Sequence, residues 1–333
     1  MSVKPAFIVE SAYKIAHLLQ LIVSYLEFGR RLFKLTCSKK HLMKKLIAAG
    51  LLFLSFTGMA QKQVTPVKWT PLFNRKDLKD WDIKITGHDL NDNNGNTFRV
   101  EDGLLKVRYD QYTNFNEQYG HIFHKRKFGY YLLAMEYRFV GNQVAGGPGW
   151  AYRNSGAMIH SQPAATMGKD QDFPISIEVQ LLGGDGEHPR NNANLCTPGT
   201  NVVMNGKLIT GHCVTSTSKT YHGDQWVRVE VLVLGDQVVK HIINGDTVLT
   251  YEQPQIGGGN VMHYDPAIKK DGQLLKEGYI ALQSESHPID YRKVEIVDLS
   301  PYAGDAKQLA QVVKQLQASG RKRLGKTAGV KGK

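Results

Sequence analysis

The chain has 333 residues, 41% of them hydrophobic, which is enough for one large domain or two smaller ones. Its net charge of +12 sits at the ends: residues 1–60 carry nine Lys/Arg against two Glu, residues 301–333 carry eight against one Asp, and the body between is left at −2. A near-neutral body excludes the basic footprint that a nucleic-acid binder needs on its folded surface.

The first element is a leader that begins inside the sequence. Met43-Lys44-Lys45 is a short positive region, residues 46–56 are apolar, and Thr57-Gly58-Met59-Ala60 ends in small residues suited to cleavage before Gln61. That is the pattern of a secretory signal peptide over 43–60, too short for a membrane span. Met43 is therefore expected to be the initiator, and residues 1–42 an upstream extension. A competing targeting or membrane segment over 15–26 is interrupted by His17, Gln20 and Ser24. The expected location is periplasmic or extracellular, with no integral span in the mature chain.

From residue 61 to 300 the pattern is short alternating strands broken by Gly, Asn and Asp. Residues 98–100 and 104–107 flank Glu101-Asp102-Gly103 and read as a hairpin. Residues 130–140 alternate as a long strand. Strands at 226–234 and 238–243 flank Gly235-Asp236, Asn244-Gly245-Asp246 turns into 247–251, and the last strand covers 293–299. Trp226 reads as a core residue. No helix of convincing period appears in this body, so the expected fold is all-β, a sandwich or jelly roll. Residues 141–149 and 183–194 are long polar loops of the kind that carry function at a sheet rim. Beyond the body, residues 305–318 have helical spacing, with Leu309, Val312, Val313 and Leu316 on one face, and 321–333 form a basic tail expected to be disordered.

Three further strands carry chemistry. In residues 175–182, Ile175, Ile177, Val179 and Leu181 share one face, and Ser176, Glu178 and Gln180 share the other. In residues 154–160, Asn154, Gly156, Met158 and His160 oppose Ser155, Ala157 and Ile159. In residues 279–285, Ala281, Gln283 and Glu285 oppose Ile280 and Leu282. Placed in one sheet, these strands would present a polar surface of amides, carboxylates and imidazole, which suits the paired donors and acceptors of a sugar. An ordinary solvated sheet face is the plainer alternative for Glu178.

Other motifs are weaker. The glycine-rich run at 183–188 lacks the Lys and helix entry of a phosphate loop. Asp185, Glu187 and His188, with His160, could ligate a metal; calcium would favour the oxygen ligands. No cofactor follows from the sequence beyond that divalent-cation alternative. No Gly-x-Ser-x-Gly or His-Glu-x-x-His motif is present. Cys196 and Cys213 form an even pair in the mature chain. Export would allow a disulfide, with buried thiols or a metal pair as alternatives; no Cys-x-x-Cys spacing supports zinc.

Residues 69–299 resemble the 3-keto-disaccharide hydrolase family. The resemblance is carried by Leu72-Phe73-Asn74 with Trp81, the run from Phe98 to Leu105, Asn154-Ser155-Gly156, Ile177-Glu178-Val179-Gln180, Asp224-Gln225-Trp226, Ile243-Asn244-Gly245 and the run from Gly278 to Ser284, in order and spacing. It implies a concanavalin-like jelly roll that cleaves glycosides already oxidised at C3, by elimination and hydration or by hydrolysis. Glu178, His160 and Glu285 would then be the catalytic groups. Arg153, Asn154, Gln180, Gln283, Trp150, Tyr221 and His287 would contact a small carbohydrate substrate. The rival reading is a non-catalytic, lectin-like sugar-binding module. The sequence leaves oligomeric state open.

Overall fold

In a computed structural model, residues 67–328 are described, with side chains to residue 318. The leader at 43–60, the upstream stretch 1–42 and the last five residues lie outside the described part. In chain order the strands are β1 (Thr70–Pro71), β2 (Trp81–Ile85), β3 (Phe98–Glu101), β4 (Leu104–Val107), β5 (Gly120–His124), β6 (Tyr130–Phe139), β7 (Asn154–Ser161), β8 (Ile177–Leu182), β9 (Asn194–Cys196), β10 (Thr200–Met204), β11 (Lys207–Ile209), β12 (Cys213–Val214), β13 (Val227–Leu234), β14 (Val238–Ile243), β15 (Asp246–Ile256), β16 (Tyr279–Ser284) and β17 (Ile289–Asp298). One helix follows, α1 (Ala306–Ala328).

The strands form two antiparallel sheets of a jelly-roll sandwich. A ten-stranded sheet runs β11-β10-β15-β14-β13-β6-β17-β4-β3, with β1 added on β17; a seven-stranded sheet runs β12-β9-β8-β7-β16-β5-β2. The period-2 pattern explains the layering. Ala157 and Ile159 of β7, Ile177, Val179 and Leu181 of β8, and Ile280 and Leu282 of β16 point into one core against Leu133, Met135, Val229 and Val231 of the larger sheet. Their alternate residues are thereby forced onto the outer face of the seven-stranded sheet.

The outer face of the ten-stranded sheet is closed differently. Leu132, Leu232, Ile242 and Val297 receive Leu309, Val312 and Leu316 of α1. That spacing puts the three on one helical stripe, and each fully buried Leu or Val is worth about 1.5–3 kcal/mol.

Several expectations need correction. The helix continues to Ala328, ten residues beyond its expected end. Ile175 precedes β8 and packs with Ile256 and Val261 in a separate small cluster. Trp226 lies outside the main core, half-buried between the guanidinium groups of Arg138 and Arg292 at 4.7 and 4.6 Å. Strands β2, β5 and β9–β12 are additional to those expected: most are too short to show an alternation of their own, and pairing holds them.

Candidate active site

Register places the polar residues of the seven-stranded sheet in rows. One row runs Lys84, His121, Gln283 from β2 through β5 to β16. On the other side of β7 it continues Gly156, Gln180, Asn194. The next row runs Ala281, Met158, Glu178, Cys196, Cys213. The rows meet at Gly156. A Cβ there would lie 2.7 Å from Cγ and Oε1 of Glu178 and 2.9 Å from Oε1 of Gln283, so the glutamate side chain lies over a bare patch of backbone. Glycine is required by that close approach.

Above this patch opens a cavity of about 600 Å³ lined by Asn154, Glu178, Gln180 and Glu285 below and by Tyr119, Trp150, Phe173, His212 and Met262 at its walls. Glu178 and Glu285 are 5% and 3% exposed. Burial pushes Glu178 up to about 8. Burial, and then the negative charge of Glu178, raise Glu285 well above the usual carboxylate range, while Arg190 opposes that rise. Two close buried carboxyls cannot both ionise, so the pair titrates as a unit.

Unsatisfied polar atoms concentrate here. Oε1 of Glu178, Oε2 of Glu285, Oδ1 of Asn154, both amide atoms of Gln283 and both ring nitrogens of His121 are buried without a hydrogen-bond partner within the protein. Each such group would cost about 1–3 kcal/mol if left unpaired, which favours a polar occupant of the cavity. Burial drives His121 down to about 3, so it is a neutral imidazole. Gln180 is partly engaged, accepting from Asn194 at 3.0 Å.

Arg190 was not singled out in the sequence. Its guanidinium donates to the carbonyls of Tyr152, of Gly183 at 2.8 Å and of Trp150 at 3.1 Å. It thus pins the turn carrying Trp150 while presenting positive charge towards Glu285. Tyr119, Phe173, Asp172 and Met262 were also missed; they lie in connections around the sheet, where no local pattern marks them.

Other expected site residues lie elsewhere. His160 was expected beside Glu178 by strand parity. It instead adopts φ +49°, and the register between β16 and β7 slips at this point, Tyr279 pairing with Ser161 but Ala281 with Met158. The extra residue is a bulge that breaks the alternation. His160 lines a second cavity of about 320 Å³ with Lys127, Glu277 and Tyr279, and burial lowers it to about 4. Tyr221 accepts a hydrogen bond from Asn244 at 2.8 Å in a crevice with Phe139 and Leu182, outside the Glu178 cavity. His287 is wedged edge-on between Phe139 and Tyr152. Arg153 binds Asp224 at 2.8 Å and does not line the cavity.

Asp185 is an exposed turn cap: Oδ1 accepts from the backbone of Glu187 and His188, and Oδ2 meets Nδ1 of His188 at 2.7 Å. Those bonds, the backbone ones first, hold its carboxyl well below the usual range. Neither Glu187 nor His188 lines the cavity. Among the described residues, the metal-ligating atoms that converge are those of Cys196, His212 and Cys213. The two sulfurs are bonded to each other as a disulfide, so the thiolates that a metal would need are not available.

The jelly-roll sandwich, with a cavity holding two buried carboxyls over one sheet, is that of a carbohydrate-active protein, a class that the family match supports. The chain belongs to the 3-keto-alpha-glucoside-1,2-lyase-like domain family, whose model matches residues 68–297. No curated protein sequence matches it. Among solved structures, it is similar to two candidate glycosyl hydrolases from Parabacteroides distasonis. One has 17% identity and a TM-score of 0.43, covering 70% of this chain and 100% of that one. The other has 19% identity and a TM-score of 0.42, covering 69% and 94%. A β-glucanase of Bacillus licheniformis aligns at 11% identity with a TM-score of 0.38, covering 71% and 100%.

Proposed function

We propose that this protein is an exported enzyme that cleaves 3-keto-glucosides by acid–base elimination across C1 and C2. The observation that carries this reading is the buried Glu178–Glu285 pair, facing a cavity large enough for a sugar and beside amides with no protein partner.

A ketone at C3 acidifies the proton on C2. One carboxylate removes that proton, and the electrons pass to the C3 oxygen as an enolate. Collapse of the enolate restores the ketone, forms C1=C2 and breaks the bond from C1 to the aglycone oxygen. The second carboxyl gives that oxygen a proton. The C2–H and C1–O bonds are lost, one C=C bond is gained, and one proton moves from the sugar to the departing alcohol. Adding water across C1=C2 then yields the free 3-keto sugar.

The two glutamates suit these roles because only one charge is tolerated between them. The charge of Glu178 adds to burial in raising Glu285, so the single charge rests on Glu178, which serves as base, while Glu285 keeps its proton and serves as acid. The amide nitrogen of Asn154, which lines the cavity, is the donor for the enolate oxygen, while Gln283, fully buried beside Gly156, does not line it. The Cys196–Cys213 disulfide supports action in an oxidising compartment.

The test is incubation in deuterated water with a 3-keto glucoside and with its unoxidised parent. Cleavage of the keto substrate alone, with deuterium at C2, is expected. Glu178→Gln should lower turnover by about two to four orders of magnitude. Cleavage of the parent would instead mean ordinary hydrolysis, and binding of both without turnover would mean a sugar-binding module.

A further inference from the structure

We infer that Trp150 is the binding platform for the aglycone and selects substrates whose leaving group presents a flat apolar face. This deepens the lyase reading and, for turnover, rests on it.

Only five large apolar side chains are strongly exposed among the described residues, and two of them, Trp150 at 54% and Met262 at 55%, line this one cavity. Single exposed apolar residues are normal on a surface. Two on the wall of a cleft whose floor holds buried carboxyls are a binding feature.

The order from floor to mouth follows exposure: Glu285 and Glu178 are 3% and 5% exposed, Tyr119 8% and Trp150 54%, and all four line the same cavity. Trp150 stacks on Tyr119 with ring centroids 6.1 Å apart and planes within 17°. Phe173 braces Tyr119 from another side at 4.9 Å. Trp150 is therefore one aromatic layer farther out than the ring that the carboxylates must touch. With C1 and C2 engaged by Glu178 and Glu285, the leaving group on C1 is the part of the substrate assigned to that outer layer.

The platform is also rigid. Trp150 sits in a short turn, Gly149–Ala151, and its carbonyl is held by Arg190. A preformed aromatic face loses little freedom on binding. A second pyranose and an aryl group share the flat apolar face that such a ring recognises; a methyl group does not.

The experiment compares Trp150→Ala, Trp150→Phe and the unaltered protein on 3-keto glucosides bearing methyl, phenyl and glucosyl aglycones. Trp150→Ala should lower kcat/KM by about ten-fold or more for the two ring-bearing substrates, chiefly through KM, and less than two-fold for the methyl glucoside. Trp150→Phe should restore most of the loss. A larger effect on phenyl than on glucosyl would mark an aryl-glucoside enzyme, and the reverse a disaccharide enzyme. An equal loss on all three substrates, or none, would overturn the inference. Inactivity of the unaltered protein on all three would overturn the lyase reading instead. The platform would then be judged by calorimetric binding of phenyl glucoside against methyl glucoside, which loss of Trp150 must weaken selectively; unselective binding would refute it.

Discussion

Gly156→Ala displaces the Glu178 carboxylate, and with it the Gln283 amide whose Oε1 would lie 2.9 Å from the new methyl group, without removing either. Gly156 has an ordinary strand conformation, so alanine adds no backbone strain, and only contact matters. The added methyl group would lie 2.7 Å from Cγ and Oε1 of Glu178, whereas ordinary contact begins at 3.4 Å. The glutamate must therefore retreat by about 0.7 Å. Along its row it is flanked by Met158 and Cys196, both buried. The retreat is accordingly into the cavity, which changes its approach to Glu285 and to substrate. Misplacing a reacting group by about 1 Å can cost about a hundred-fold, so turnover of a 3-keto glucoside should fall by about ten- to a hundred-fold. The overlap with Cγ of Glu178 should also cost about 1–3 kcal/mol of stability, so turnover is compared well below the melting transition. Gly304→Ala, where the new methyl group meets nothing within 4 Å, is the control and should keep full turnover. If Gly156→Ala retains turnover within two-fold, the placement of Glu178 over this glycine has no catalytic meaning.

Two further outcomes follow from the same structure. Burial lifts Glu178 from 4.5 to about 8 in the folded state, so the folded protein holds this proton more tightly than the unfolded chain. Its contribution to stability is full below pH 4.5 and drains away as pH rises to about 8. Glu178→Gln abolishes that loss, so its melting temperature should gain on the unaltered protein across this window and level off above it; a constant difference at every pH would show that Glu178 is not buried as described. Leu309→Ala removes a buried contact between α1 and the ten-stranded sheet and should cost at least about 2 kcal/mol in chemical denaturation. Its turnover at 25 °C should stay within two-fold, because the helix covers the sheet opposite the cavity; a large loss of turnover would tie the helix to the site.

The chain itself dictated the sandwich and one polar face. Alternation is a local property, so the core-facing Ile177, Val179 and Leu181 could be separated by parity from Glu178 and Gln180, and Gln283 and Glu285 from Ile280 and Leu282. The stripe of Leu309, Val312 and Leu316 was legible for the same reason. The short strand Gly120–His124 went unrecognised, and with it His121.

Parity fails where the backbone is irregular. One inserted residue at His160 carries its ring away from Glu178, and only the pairing of β7 with β16 makes that bulge visible. Assembly decided the rest. Trp150, Tyr119, Phe173, Met262 and Arg190 come from separate connections, and they meet only because the seven-stranded sheet sets its loops around one patch. The elevated affinity of Glu178 and Glu285 for protons likewise has no sequence signature: it arises from exclusion of water and from mutual repulsion, and both depend on which groups the tertiary fold brings within reach.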